Sequence, residues 1–165
     1  ALEEARSRAK SMNMRVNFYE GDIHKCPLRT YDIICFNFSL HYIFASKGLF
    51  MSSLREIKKR MKSGGRLIGI IPDSEKIIFK TPLVDDMGNF FKMKDHGNGG
   101  FGEKLWVHLS DTPYYAQGPK PEPVAYKDHL VTQLEDFGFR MEKWENLTGN
   151  PISELYSKFI FVYNR

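Results

Sequence analysis

The chain has 165 residues, 42% hydrophobic and 27% charged, a mixture that excludes disorder and collagen-like repeats and suits about one globular domain. Its 24 basic and 20 acidic side chains leave a formal charge of +4, a mild excess that favours a polyanionic partner without requiring one. No apolar run reaches the roughly 18 residues of a membrane span, and Ala1-Leu2-Glu3-Glu4-Ala5 is acidic rather than signal-like; Cys26 and Cys35 alone cannot supply a disulfide framework or a four-ligand zinc site, so the sequence reads as soluble and intracellular.

Leu2, Ala5, Ala9 and Met12 fall at helical spacing and predict an amphipathic helix over residues 2–12. With no capping residue before it, the sequence is expected to begin within an element. The alternation in Val16-Asn17-Phe18-Tyr19-Glu20 predicts a strand, closed by Gly21-Asp22. Ile33-Ile34-Cys35-Phe36 is a continuous apolar run of the kind buried on both faces of a parallel sheet. Residues 48–61 predict a helix with Leu49, Met51, Leu54, Ile57 and Met61 on one side, stopped by Ser63-Gly64-Gly65. Leu67-Ile68-Gly69-Ile70-Ile71 is the next buried strand, ended by Pro72. This alternation predicts a doubly wound, mostly parallel α/β sheet. Over residues 73–125 the periodicity gives way to prolines and a glycine cluster, which predicts an insertion with short strands near 89–93 and 104–109, the kind of segment that handles substrates. A helix bearing Leu130, Val131, Leu134 and Phe137, capped by Gly138, then precedes strands at 139–144 and 159–163.

Polar groups follow three successive apolar runs: Gly21-Asp22, Asn37-Phe38-Ser39-Leu40-His41-Tyr42 and Pro72-Asp73. Ligands bind outside the carboxyl ends of strands in open parallel sheets, so these three ends point to one site. Taken singly, each has a blander reading: Asp22 as a turn cap, His41 as a packed surface histidine, Tyr42 as core. Gly97-Asn98-Gly99-Gly100-Phe101-Gly102 matches G-x-G-x-x-G in form, but without a buried strand before it and a helix after it the segment reads as a loop.

The run Phe36-Asn37-Phe38-Ser39-Leu40-His41-Tyr42, the following amphipathic helix, Met61-Lys62-Ser63-Gly64-Gly65-Arg66-Leu67-Ile68-Gly69 and Ile71-Pro72-Asp73 together resemble the mRNA cap guanine-N7 methyltransferases. Met87-Gly88-Asn89, Phe101-Gly102 and Pro121-Glu122 extend the likeness, in order, over about residues 20–140. Within that family it leans towards the capping enzymes of large cytoplasmic DNA viruses. The resemblance implies a class I, Rossmann-like methyltransferase using S-adenosylmethionine, with no metal and no catalytic acid or base. Its cofactor would be held by Asp22, Asn37, Phe38 and Ser39, and its cap guanine by His41, Tyr42, Pro72, Glu122 and Tyr156. Asn37 stands where the family often has Gln, and Gly102-Glu103-Lys104-Leu105 departs from a common Cys-Lys-Tyr-like run.

The resemblance also implies an acidic glycine-rich loop and a ribose-binding acid, and nothing before Val16 could supply them. Residues 1–165 are therefore expected to be the later part of one methyltransferase domain without its first two strands. The partners implied are capped RNA, the upstream part of the same domain and other capping-enzyme domains, with no membrane. The expected compartment is the cytoplasm, in a viral factory or virion, for a viral protein, and the nucleus for a cellular one. Two alternatives stay open: a methyltransferase-like module that only binds RNA or protein, and a small-molecule methyltransferase. Retention of Asp22 and Ser39 argues against the first, and a guanine-edge carboxylate paired with His41-Tyr42 against the second.

Overall fold

A computed structural model describes residues 2–93 and 100–164. The apolar runs become two adjacent strands that pair in parallel, β1 (Tyr31–Asn37), at the edge of the first sheet among the described residues, and β2 (Met61–Pro72). The expected burial of β1 on both faces is corrected: the face bearing Ile33, 57% exposed, and Cys35 is left uncovered by the described residues. The crossover between β1 and β2 carries a 3₁₀ turn at Leu40–Ala45 and a helix at Lys47–Lys59. With the N-terminal helix α1 (Leu2–Ser11) counted first, this crossover helix is α2; Ser46 caps its start by accepting from the Leu49 N–H at 3.2 Å. Further on, α3 (Ser74–Lys80) leads into a second sheet, β3 (Leu83–Val84), β4 (Phe90–Met93), β5 (Lys104–His108) and β6 (Lys120–Pro123), antiparallel throughout. The chain then returns through α4 (Lys127–Asp136) to β7 (Phe139–Asn146) and β8 (Tyr156–Tyr163), giving the first sheet the order β1-β2-β8-β7.

The expected strands at 89–93 and 104–109 are present within the insertion, and 159–163 forms the inner part of β8. Two further expectations are corrected. The first sheet is mixed rather than mostly parallel, because β8 runs antiparallel to both β2 and β7. Residues 16–20 form no strand: no neighbouring strand among the described residues takes up their backbone groups, and Val16 and Tyr19 are 44% and 55% exposed. The glycine cluster is only partly visible, since residues 97–99 lie outside the described residues.

The main core lies between the first sheet and its helices, where Phe44, Leu54, Ile57, Leu67, Leu134 and Phe161 are fully buried. A second cluster, including Ile77, Phe91, Leu105 and Leu155, fills the angle between the two sheets and reaches Tyr156 at the start of β8. Gly69 is the tightest point of the first sheet. A Cβ there would lie 2.1 Å from the Phe36 carbonyl oxygen and 2.8 Å from the Phe159 ring, so only glycine lets β1 approach β2 while Phe159 covers the pair. Gly69→Ala should therefore cost about 1–3 kcal/mol, the usual size of an overpacking strain. A denaturant midpoint unchanged from wild type would refute this.

Candidate active site

β1 ends at Asn37, and the chain turns through Phe38, whose φ of 52° is unusual for a residue with a side chain. The Phe38 N–H donates to the Ile70 carbonyl at 2.9 Å, which holds the turn against β2, and its ring meets Tyr156 edge-on at 5.3 Å. Directly after this turn, Leu40 and His41 are buried, and the His41 and Tyr42 rings lie 4.2 Å apart. Glu122 reaches the same place from β6 in the other sheet and is 6% exposed.

Glu122 is saturated on one oxygen and open on the other. Its Oε1 accepts from the Tyr42 hydroxyl at 3.2 Å and from the Tyr115 hydroxyl, and its Oε2 pairs with His41 Nε2 at 3.0 Å. Against a carboxylate, His41 Nε2 must be the donor, which leaves Nδ1, a buried atom without a hydrogen-bond partner among the described residues. Burial alone would raise the Glu122 pKa, yet the hydrogen bonds from His41, Tyr115 and Tyr42 outweigh it and hold the carboxyl below the ordinary glutamate range. Burial pushes the Tyr42, Tyr115 and Tyr156 hydroxyls the other way, above the ordinary tyrosine range, so they remain donors.

These groups wall a cavity of about 440 Å³ whose remaining surface is largely apolar and aromatic, with Phe38, Leu109, Tyr114 and Ile152 among its lining. A second cavity of about 510 Å³ lies against the face of β1 and is lined by Asp22, Ile23, Ile34, Phe36 and Ser39 among others. Tyr42 is the one described residue that lines both cavities. Asp22 caps the 3₁₀ turn Ile23–Lys25 by accepting from the His24 N–H at 3.0 Å, the blander role the sequence allowed. That bond holds its carboxylate below the ordinary aspartate range. Both the backbone and the ring of His24 address Oδ1, and the backbone of Lys25 also acts on the carboxylate.

The structure thus brings His41, Tyr42, Glu122 and Tyr156 into one cavity, and Asp22 and Ser39 into the other. Phe38 lines the first cavity rather than the second. Asn37 lines neither, and its Oδ1 accepts from the Cys35 thiol at 3.4 Å. Pro72 is buried opposite Tyr156 in the β2–β8 pairing and also lines neither cavity. Asp73 turns inward, accepting from Trp144 Nε1 at 2.9 Å, the Ser157 hydroxyl at 2.5 Å and the Glu75 N–H at 3.0 Å. Tyr114 and Tyr115 were not foreseen; their one sequence signal is an aromatic doublet between Pro113 and Glu122.

Fold comparison places this arrangement. A protein from Pyrococcus horikoshii superposes over 99% of this chain and 66% of its own, with a TM-score of 0.66 at 18% identity. An S-adenosylmethionine-dependent methyltransferase from Clostridium acetobutylicum covers 99% of this chain and 71% of its own, with a TM-score of 0.64 at 14% identity. The fold is that of the class I methyltransferases, a Rossmann-like α/β architecture. The family model described as the mRNA (guanine-N(7))-methyltransferase domain matches residues 5–111, and the chain belongs to that family. The mRNA cap guanine-N(7) methyltransferase of Schizosaccharomyces pombe is 27% identical over 147 residues, which is 82% of this chain and 38% of the yeast protein. That of Candida glabrata is 30% identical over 107 residues, 64% of this chain and 23% of the relative. The chain therefore spans well under half the length of these curated relatives.

Proposed function

We propose that the protein takes part in methyl transfer from S-adenosylmethionine to N7 of the guanine cap of mRNA, binding the base in the Glu122 cavity and the cofactor against Asp22 and Ser39. The observation that carries this reading is a buried carboxylate in one cavity that shares Tyr42 with a second cavity at the end of β1. The second cavity suits the cofactor chemically: Ile34 and Phe36 offer apolar faces to a purine, and the Asp22 carboxylate, with about four lone-pair sites, offers an acceptor to an exocyclic amine. When bound, S-adenosylmethionine supplies the methyl group, on a sulfonium carbon that N7 attacks with its own lone pair.

Guanine N7 carries no proton, so no residue of this chain has to act as base; their work is to position. Holding the reacting atoms in line can supply roughly 7–11 kcal/mol. Glu122 has about four lone-pair sites, three already filled, and its open site on Oε2 can accept one of the two donors on the guanine N1–N2 edge. The second donor can replace the Tyr42 hydroxyl, whose 3.2 Å bond is longer than the 3.0 Å bond from His41. Tyr42 and Tyr156 supply ring faces, where stacking on a base is worth roughly 1–3 kcal/mol.

The test is transfer of a labelled methyl group by the complete protein to RNA bearing a 5′-linked guanosine cap, with RNA bearing an adenosine cap as control. Release of labelled 7-methylguanosine from the first RNA only is the expected result; label elsewhere, or no label, would overturn the reading. In the same protein Asp22→Ala should weaken S-adenosylmethionine binding about tenfold, the loss of one charge-assisted hydrogen bond, with an unchanged fold. Calorimetric titration giving wild-type affinity would return Asp22 to turn capping alone.

A further inference from the structure

The geometry points to Lys120 as a phosphate-binding residue at the mouth of the Glu122 cavity, a role that rests on the reading of that cavity as a guanine site. Lys120 opens β6, two residues before Glu122, so the alternation of the strand puts both side chains on one face, about 7 Å apart along the chain. Glu122 is buried at the inner end of that face and Lys120 is half-buried at the outer end. The Lys120 ammonium lies 3.9 Å from the centroid of the Tyr114 ring, and Tyr114 is itself a wall of the cavity, 52% exposed at its rim. Lys120 forms no ion pair among the described residues, so its charge is free to meet an anion while its stem stays seated on the ring.

The chemistry of the ligand fits this placement. A guanine whose N1–N2 edge meets Glu122 directs its sugar, and then its 5′-phosphates, away from the buried end of the cavity. Among the described residues the lining of the cavity holds no lysine or arginine, so the phosphates meet none of these cations until they reach the rim. Lys120 is the cation that the face of β6 presents there. The aromatic contact fixes the ammonium in place before any ligand arrives, which lowers the entropy lost on binding. The class of ligand is therefore a guanine nucleotide carrying 5′-phosphates, rather than the bare nucleoside.

The experiment measures binding of guanosine and of GTP to the complete protein and to its Lys120→Met and Lys120→Arg variants by calorimetric titration. Methionine keeps the stem over the Tyr114 ring and removes only the charge. Lys120→Met should bind guanosine as wild type does and GTP about tenfold more weakly, and Lys120→Arg should restore GTP binding. Equal weakening for both ligands would make Lys120 a prop for Tyr114 and overturn the proposal, as would no change for either. If the wild-type protein binds neither guanosine nor GTP, the guanine reading of the cavity fails first and the phosphate site falls with it.

Discussion

Replacing Glu122 by glutamine should lower kcat/KM for capped RNA by about two to three orders of magnitude while leaving S-adenosylmethionine affinity within about twofold of wild type. The shape of the side chain is kept, but one accepting oxygen becomes an NH2 group. In the native site every group that meets this carboxylate is a donor: the Tyr42 and Tyr115 hydroxyls and His41 Nε2. The amide sets its NH2 either against the His41 N–H or against tyrosine hydroxyls that must turn round to accept, and it leaves one oxygen for the two donors of a guanine edge. Sites built to hydrogen-bond a substrate discriminate steeply when a buried partner is left unpaired, which is why the effect should far exceed that of Asp22→Ala. Steady-state kinetics on capped RNA with unaltered rates would remove Glu122 from base recognition.

The same variant carries a pH signature. The Glu122 pKa lies below its ordinary value in the folded chain, so its ionised form stabilises the fold above the unfolded-state pKa, and that contribution disappears as the pH falls through the folded-state value. Glutamine cannot titrate, so the variant should lose less stability on acidification than wild type does. Parallel acid unfolding curves would contradict this sign.

Asp73→Ala should cost about 3–5 kcal/mol of stability, a larger loss than Gly69→Ala. The Asp73 side chain is 2% exposed and joins three segments: the first turn of α3 through the Glu75 N–H, β7 through Trp144, and β8 through Ser157, which is fully buried. Alanine strands the Trp144 and Ser157 donors, at about 1–3 kcal/mol each, and removes the α3 cap, worth about 1 kcal/mol. Asp73→Asn should recover part of this by keeping one accepting oxygen. Because Ser157 adjoins Tyr156, the alanine variant should also bind guanine more weakly below its unfolding temperature. A denaturant midpoint within experimental scatter of wild type would show that Asp73 is not the joint that the geometry describes.

The readable parts of the fold are those in which one element's own residues decide the outcome. Leu67–Ile71 and Phe159–Tyr163 are runs too apolar to be anything but buried strand, and Leu54 and Ile57 mark the buried side of α2; Ile33–Phe36 is a strand as its run suggests, but its burial depends on what covers it, and Ile33 and Cys35 are exposed among the described residues. What could not be read depends on partners. Val16–Glu20 has the alternation of a strand but no neighbouring strand among the described residues, and the direction of β8 leaves no periodic trace. Ser63-Gly64-Gly65 does follow the end of α2, yet the chain from Met61 goes straight into β2 across a register shift opposite Tyr31 and Ile33, which glycines allow and spacing does not announce. In the site, His41, Tyr42 and Glu122 were legible as motif residues. Tyr115 was not, because a tyrosine in a proline-rich segment gains its role only when β6 sets Glu122 beside it. Asp73 was legible as a polar strand end, but its inward turn is fixed by Trp144 and Ser157, far away in sequence.

Tyr156 enters the cavity from the last strand of the chain, whereas His41 and Tyr42 stand near its beginning. During synthesis the histidine and tyrosine emerge first, Glu122 later, and the hairpin of β7 and β8 last. N-terminal segments begin to fold while the rest is still being made. Contacts that close over such long stretches of chain also carry the greatest loop-closure entropy. The Glu122 cavity is thus completed only after β8 has been made. Its geometry reports whether β8 has docked, and a ligand held there should slow hydrogen exchange along β8 more than along α1, whose residues include none that are buried.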